Sequence, residues 1–267
     1  MRVLRLARLC TCVLIAAFAG VKAASAGAWL MPPGEGQIIA STAFSGSTRA
    51  FDARGKLIPV PSYDKFELGA YLEYGVNDWL TVIAAPAYDQ IKQPPPAASY
   101  AGLGESEIGA RFGLYHSDNW AFSAQASLRT PGASLNDTLA PSQPKRAGGL
   151  DLRLMLGRTF DLAGLPAFAE VQTGYRVYAQ NQPGEYRLDL TLGLRPLPQL
   201  LGLLQSFSSI SKGSGGGFKH GSWHKLQPSL VYDLSPQWSV QLGGFVTVAG
   251  VNAGRELGPF AGLWYRF

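Results

Sequence analysis

Three histidines occur in this chain of 267 residues, and two of them sit together in His220-Gly221-Ser222-Trp223-His224. On an extended strand residues 220, 222 and 224 share a face, because successive side chains alternate sides. A histidine within reach of the Ser222 hydroxyl could act as its general base, which is hydrolase chemistry. The same pair at i, i+4 suits a metal ion on a helix, where that spacing stacks side chains, but not on a strand. Gly213-Ser214-Gly215-Gly216-Gly217 runs just ahead of the pair. Such a stretch gives no rigid support to a preorganised site. No carboxylate or amide partner stands nearby. No phosphate-binding glycine motif, metal-ligand cluster or redox motif appears elsewhere, so no cofactor is expected and no residue is read as catalytic.

A second set of chemically active residues is spread along the chain: Glu67, Glu73, Glu107, Asp151, Glu170 and Asp189, with Arg111, Arg129, Arg153, Arg176, Arg187 and Arg195. Apolar residues alternate with them, which identifies the elements that must hold them. Leu150, Leu152, Leu154 and Leu156 alternate with Asp151, Arg153, Met155 and Gly157. Tyr186, Leu188, Leu190, Leu192 and Leu194 alternate with Arg187, Asp189, Thr191, Gly193 and Arg195. A period of two means strands with one face in an apolar medium and the other in a polar one.

Twelve such runs are expected, near 37–45, 66–75, 79–88, 105–116, 120–130, 150–160, 166–179, 185–195, 200–211, 223–233, 238–249 and 257–267. The first, third and ninth are blurred by Ala or Ser. Tight turns rich in Asn, Asp, Gly and Pro fall near 75–78, 116–119, 161–164, 196–198 and 234–237. Longer connections occupy 46–64, 89–104, 131–149, 180–184, 212–222 and 250–256. Short and long alternate, so one end of the sheet carries the tight turns and the other most of the long loops.

With 46% apolar and only 15% charged residues, the chain is not a disordered one. Its formal charge of +5 suggests an acidic partner. Four of its 23 bases, however, are Arg2, Arg5, Arg8 and Lys22, in a first stretch of 26 residues without an acid. The rest carries 19 bases against 18 acids, which removes the electrostatic footing for nucleic-acid binding. Residues 1–26 read as a cleaved export signal. The arginines precede an apolar core, Leu9 to Gly20, and Ala24-Ser25-Ala26 has the small-x-small pattern of a cleavage site. Cys10 and Cys12 both lie in it, so residues 27–267, read as one domain, contain no thiol chemistry.

A sheet with an apolar face needs a cover. Twelve meandering strands closed as a soluble barrel would leave a lumen too wide for side chains to fill. Turned inside out, the same barrel meets lipid with its apolar face, and closure satisfies every backbone polar group. The expected architecture is therefore an all-β, antiparallel up-and-down transmembrane β-barrel with short periplasmic turns and longer outer loops, in the cell outer membrane. Leu263, Tyr265 and terminal Phe267 share one face of the last strand, resembling the signal that the outer-membrane insertion machinery reads. Tyr74, Trp79, Trp120, Trp223, Tyr232, Trp238 and Tyr265 are candidates for interfacial girdles. The twelve charged residues named above would line the lumen, as a structural ion-pair network, as a hydrated constriction, or as both. Arg49, Arg54, Lys56, Lys145, Arg146, Lys212 and Lys219 could meet lipopolysaccharide phosphates from the loops.

Gly27-Ala28-Trp29, Pro33-Gly34-Glu35-Gly36, Phe51-Asp52, Gly55-Lys56, Ile58-Pro59, Glu73-Tyr74-Gly75, Asn77-Asp78 and Gly102-Leu103-Gly104-Glu105-Ser106-Glu107-Ile108-Gly109-Ala110-Arg111 follow one another in order. Together they resemble a bacterial outer-membrane family labelled as phenol meta-degradation pathway proteins or transporters. The resemblance covers about the first half of the exported chain and implies a barrel that carries small compounds, aromatic ones among them. The expectation is thus a passive channel or transporter for a small-molecule solute, with membrane lipid around it. A lipid-modifying hydrolase using His220, Ser222 and His224 is one alternative. A structural or adhesive barrel acting through loop 131–149 is another.

Overall fold

A computed structural model describes residues 27–95, 99–132, 147–213 and 219–267 of the chain. The export signal, Lys145, Arg146 and most of loop 131–149 lie outside the described residues. The strands are β1 Gly36–Phe51, β2 Leu57–Asn77, β3 Leu80–Ala85, β4 Ala87–Lys92, β5 Tyr100–Leu103, β6 Glu107–His116, β7 Trp120–Arg129 and β8 Gly149–Leu162. They continue as β9 Leu165–Tyr178, β10 Glu185–Leu197, β11 Leu200–Ser211, β12 Gly221–Asp233, β13 Trp238–Val251, β14 Ala253–Gly254 and β15 Leu257–Arg266.

These segments make twelve crossings, all antiparallel, because three crossings are split. β3 and β4 are halves of one, parted at Pro86, which has no N–H to give the ladder. Beside the break, the Ala87 N–H donates to the Ser106 hydroxyl at 3.0 Å, in the gap between β5 and β6. The sheet closes on itself. β1 pairs with β2 on one side and with β15 on the other, and Gly36 and Phe267 exchange backbone bonds of 2.8 and 3.0 Å.

Alternation sets the faces as the sequence pattern requires. On β8, Leu150, Leu152, Leu154 and Leu156 face outward, while Asp151 and Met155 are buried inside. Leu154, 48% exposed near the middle of its strand, sits at bilayer depth. Leu154→Arg is expected to cost about 2–4 kcal/mol of folding stability in lipid, read from the urea midpoint of refolding into vesicles.

The tight turns gather at one end. In Leu162-Ala163-Gly164-Leu165 both central residues have positive φ, 54° and 83°, the type I′ geometry whose twist matches a hairpin. Asp161 accepts the Gly164 N–H at 2.7 Å and fixes it. At the other end two expectations are corrected. The stretch 46–64 is mostly strand, since β1 runs to Phe51 and β2 starts at Leu57. The remaining turn is held by Asp52, which accepts the Arg54 and Lys56 N–H groups at 2.8 Å each. Those bonds, from Lys56 and then Arg54, hold the Asp52 carboxyl below the usual carboxylate range. The stretch 89–104 likewise contains the end of β4 and all of β5.

Around the short-turn end, Tyr74, Trp79, Trp120, Tyr232 and Trp238 face outward. Tyr74, Phe267, Tyr265 and Trp238 form a continuous aromatic row, with centroid separations of 6.5, 5.9 and 4.6 Å. Leu263 and Phe267 lie exposed on the same outer surface. Trp223 departs from the expected girdle. It turns into the lumen, where Arg187 and Lys225 sit over its ring at 5.0 and 5.8 Å. Its odd position on β12, against outward Leu226, Leu230 and Tyr232, requires that.

Candidate functional site: the lumen and its inserted segment

Strand order divides the lumen into two arcs. From β2 through β10 the inner face is charged, and from β11 through β13 and β15 to β1 it mixes apolar side chains with Ser, Thr and Gln and carries few charges. On the charged arc, Arg111 is 1% exposed. It reaches Glu73 at 2.7 Å, Tyr71 at 2.9 Å and Gln125 at 3.2 Å. Towards the outer end a chain of ion pairs steps across the strands. Arg129 holds Glu107 at 2.6 Å and Glu105 at 2.8 Å, Arg176 holds Asp151 at 2.9 Å, and Arg153 bridges Asp151 and Asp189 at 2.7 Å each. Arg187 lies 3.9 Å from Asp189. At the periplasmic end Arg195 meets Asp233 at 3.0 Å.

The twelve charged residues named from the sequence thus all stand on the inner face, but they do not form one constriction. Glu73, Arg111 and Glu170 belong to the periplasmic half. Asp151, Arg153, Arg176, Arg187 and Asp189 form the outer network with Arg129 and Glu107, and Arg195 closes the periplasmic rim. Lys65 was missed. It pairs with Glu67 at 2.7 Å and Asp89 at 3.3 Å from within a stretch read as loop up to residue 64 and strand only from 66. Its spacing of two from Glu67 was the available signal. Lys225 and Glu256, paired at 2.9 Å on the less charged arc, were missed too.

The expected polar inner face is interrupted by an apolar patch. Leu201, Leu203, Val231, Phe168 and Trp264 form a buried cluster inside the barrel. β11 carries apolar residues on both faces, which is why its alternation was blurred in sequence.

Residues 27–35 enter this lumen from the periplasmic end. Trp29 packs edge-on against Phe168 at 6.1 Å and joins the Leu201 cluster to a second one formed by Ala28, Ala121 and Met155. Its carbonyl accepts from Arg111 at 3.1 Å, and the Met31 N–H donates to Thr81 at 3.0 Å. The Ala28 N–H donates to Glu170 at 2.7 Å. At the mouth, Gly34 and Gly75 join the segment to β2 through backbone bonds of 2.8 and 3.0 Å. Two wall positions are glycine because the segment lies against them. A Cβ on Gly157 would run into the Trp29 ring, and one on Gly75 into the backbone of Met31 and Pro32.

Above the segment a partly open cavity of about 540 Å³ remains. Its charged side includes Glu67, Glu73, Glu107, Arg111, Arg153, Glu170 and Asp189; its apolar side includes Ile39, Leu203, Phe207, Phe245, Phe260 and Trp264. Six acids and four bases line it in all.

The possible hydrolytic trio is not assembled. His224 Nδ1 lies 2.9 Å from the Ser208 hydroxyl, and His220 Nδ1 lies 2.7 Å from the Ser211 carbonyl oxygen. Ser222 bonds neither histidine. It pairs in the ladder with Ile210 and Val251.

No protein-family model and no curated protein sequence matches the chain. Solved structures do. The crystal structure of an outer-membrane channel from Pseudomonas putida F1 superposes with a TM-score of 0.71 at 13% identity, covering 91% of this chain and 99% of that one. The beta domain of the Bordetella autotransporter BrkA gives 0.53 at 13% identity, covering 88% and 100%. The NanC porin gives 0.50 at 8% identity, covering 84% and 98%. At such identities the likeness speaks for architecture, and it agrees with the closed sheet and its apolar exterior: this chain is a twelve-crossing β-barrel of the bacterial outer membrane.

Proposed function

We propose that the protein is a channel or transporter for small solutes that combine an aromatic or apolar body with a polar group. The cavity of about 540 Å³, with aromatic side chains facing charged ones, carries this reading. An apolar ring gains by leaving water for the Phe207, Phe245 and Phe260 side, while a hydroxyl or ammonium group finds acceptors opposite. Six lining acids against four bases favour neutral or cationic solutes over anions. The family resemblance read from residues 27–111 points to the same class, and the outer-membrane channel of Pseudomonas putida F1 supplies a fold precedent. Arg49 at the outer end of β1, with Arg54, Lys56, Lys212 and Lys219 on the outer connections, would meet lipopolysaccharide phosphates.

The test is uptake into proteoliposomes and single-channel recording with phenol, benzylamine and benzoate. Phenol and benzylamine are expected to enter faster than a sugar of similar size, with benzoate the slowest aromatic. Phe207→Ala with Phe245→Ala should weaken the aromatic preference about tenfold. A barrel that passes sugar and aromatic solutes alike, or neither, would sink the reading.

A further inference from the structure

We propose that hydrolysis of the Ala26–Gly27 bond supplies a cation to the lumen: the new α-ammonium group of Gly27 pairs with Glu170. Water cleaves the amide, leaving a carboxylate on Ala26 and an ammonium on Gly27, so processing adds one positive charge at the inserted end of the chain.

The charge balance around Glu170 calls for it. Glu170 is 2% exposed. Among the described residues no basic side chain lies within ion-pair distance of it. Arg111, the neighbouring cation on β6, is committed to Glu73 on β2 at 2.7 Å. Glu170 receives only the Gln172 side-chain amide and the Ala28 N–H. Two neutral donors do not offset a carboxylate removed from water; a charged partner does.

The position fits. Gly27 borders the lumen cavity. The N–H of the next residue, Ala28, already bonds Glu170 at 2.7 Å, and a Cβ built on Gly27 would meet Gln172 Nε2 at 2.8 Å, Glu170 Oε1 at 3.3 Å and Arg111 Nη2 at 3.7 Å, so the Gly27 backbone lies beside that carboxylate. The cleavage pattern Ala24-Ser25-Ala26 puts the cut immediately before Gly27. Cutting one residue earlier moves the amine by up to about 3.8 Å, enough to take it out of ion-pair range. An uncleaved chain offers Glu170 only another neutral amide. Seating of the inserted segment is thereby tied to export and processing, independently of which solute the barrel carries.

The test uses full-length precursor expressed, exported and isolated from outer membranes. N-terminal sequencing should give Gly27. The α-amine is then acetylated in the folded barrel over a range of pH, with exposed Lys56 as internal reference, and the products are read by mass spectrometry. Burial alone lowers an amine's pKa, whereas pairing with a carboxylate raises it, so the two accounts predict opposite signs. The midpoint is expected above the ordinary α-amino range of about 7.7–8.0, and Glu170→Gln should bring it down and speed labelling at neutral pH about tenfold. Should Glu170→Gln fail to fold, one alanine inserted between Ala26 and Gly27 moves the amine and should give the same acceleration. A terminus other than Gly27, or a midpoint at or below the ordinary range, overturns the proposal.

Discussion

Barrels that lack residues 27–33 are expected to conduct about threefold more than the whole exported chain, or better, in single-channel recordings. Twelve crossings enclose more space than inward side chains alone can fill, and the segment around Trp29 occupies the periplasmic half. Gly157→Leu should act in the same direction by another route. Its side chain claims the space of the Trp29 ring and forces the segment out, while the wall's hydrogen bonds stay intact. Two variants, one shortened and one of full length, should therefore converge on the same open conductance. Unchanged conductance in both would mean that the segment does not limit passage.

Arg111→Met is expected to destabilise the barrel by about 3–5 kcal/mol, since it leaves Glu73 buried at 2% exposure without its cation. The loss reaches further than one pair. The same guanidinium donates to Tyr71, Gln125 and the Trp29 carbonyl, so the inserted segment should loosen as the wall weakens. Arg111→Lys should recover little, because an ammonium cannot serve so many fixed directions at once. Adding Glu73→Gln to Arg111→Met removes the stranded charge and should regain more than half of the loss. Urea midpoints in vesicles measure the stability, and Trp29 emission reports the segment. A single variant as stable as the parent would show that this ion pair carries no weight.

How far the sequence discloses this molecule depends on what each residue faces. Leu150–Leu156 and Tyr186–Leu194 alternate because lipid and lumen differ, so their strands and faces were legible, and so were the turns that part them. Legibility failed where that contrast fades. Leu201 and Leu203 are apolar although they face inward, since they pack on Phe168 and Trp264. Leu57 to Ser62 contain two prolines and an irregular pattern, and they extend β2 beyond bilayer depth, where no lipid enforces a period. Residues 27–35 have no periodicity at all, for they lie in the lumen as an irregular strand of contacts, and nothing local announces a partner as distant as Glu170. Trp223 and Lys65 are a different case. Both were decipherable by counting twos from Leu226 and Glu67.

The hydrogen-bonded seam between Gly36 and Phe267 has a bearing on biogenesis. While a growing sheet waits for its final strand, both of its margins expose rows of unsatisfied amides and carbonyls, which invite pairing with other chains. Closing the seam pairs both margins, so the finished barrel offers neither of them to another chain.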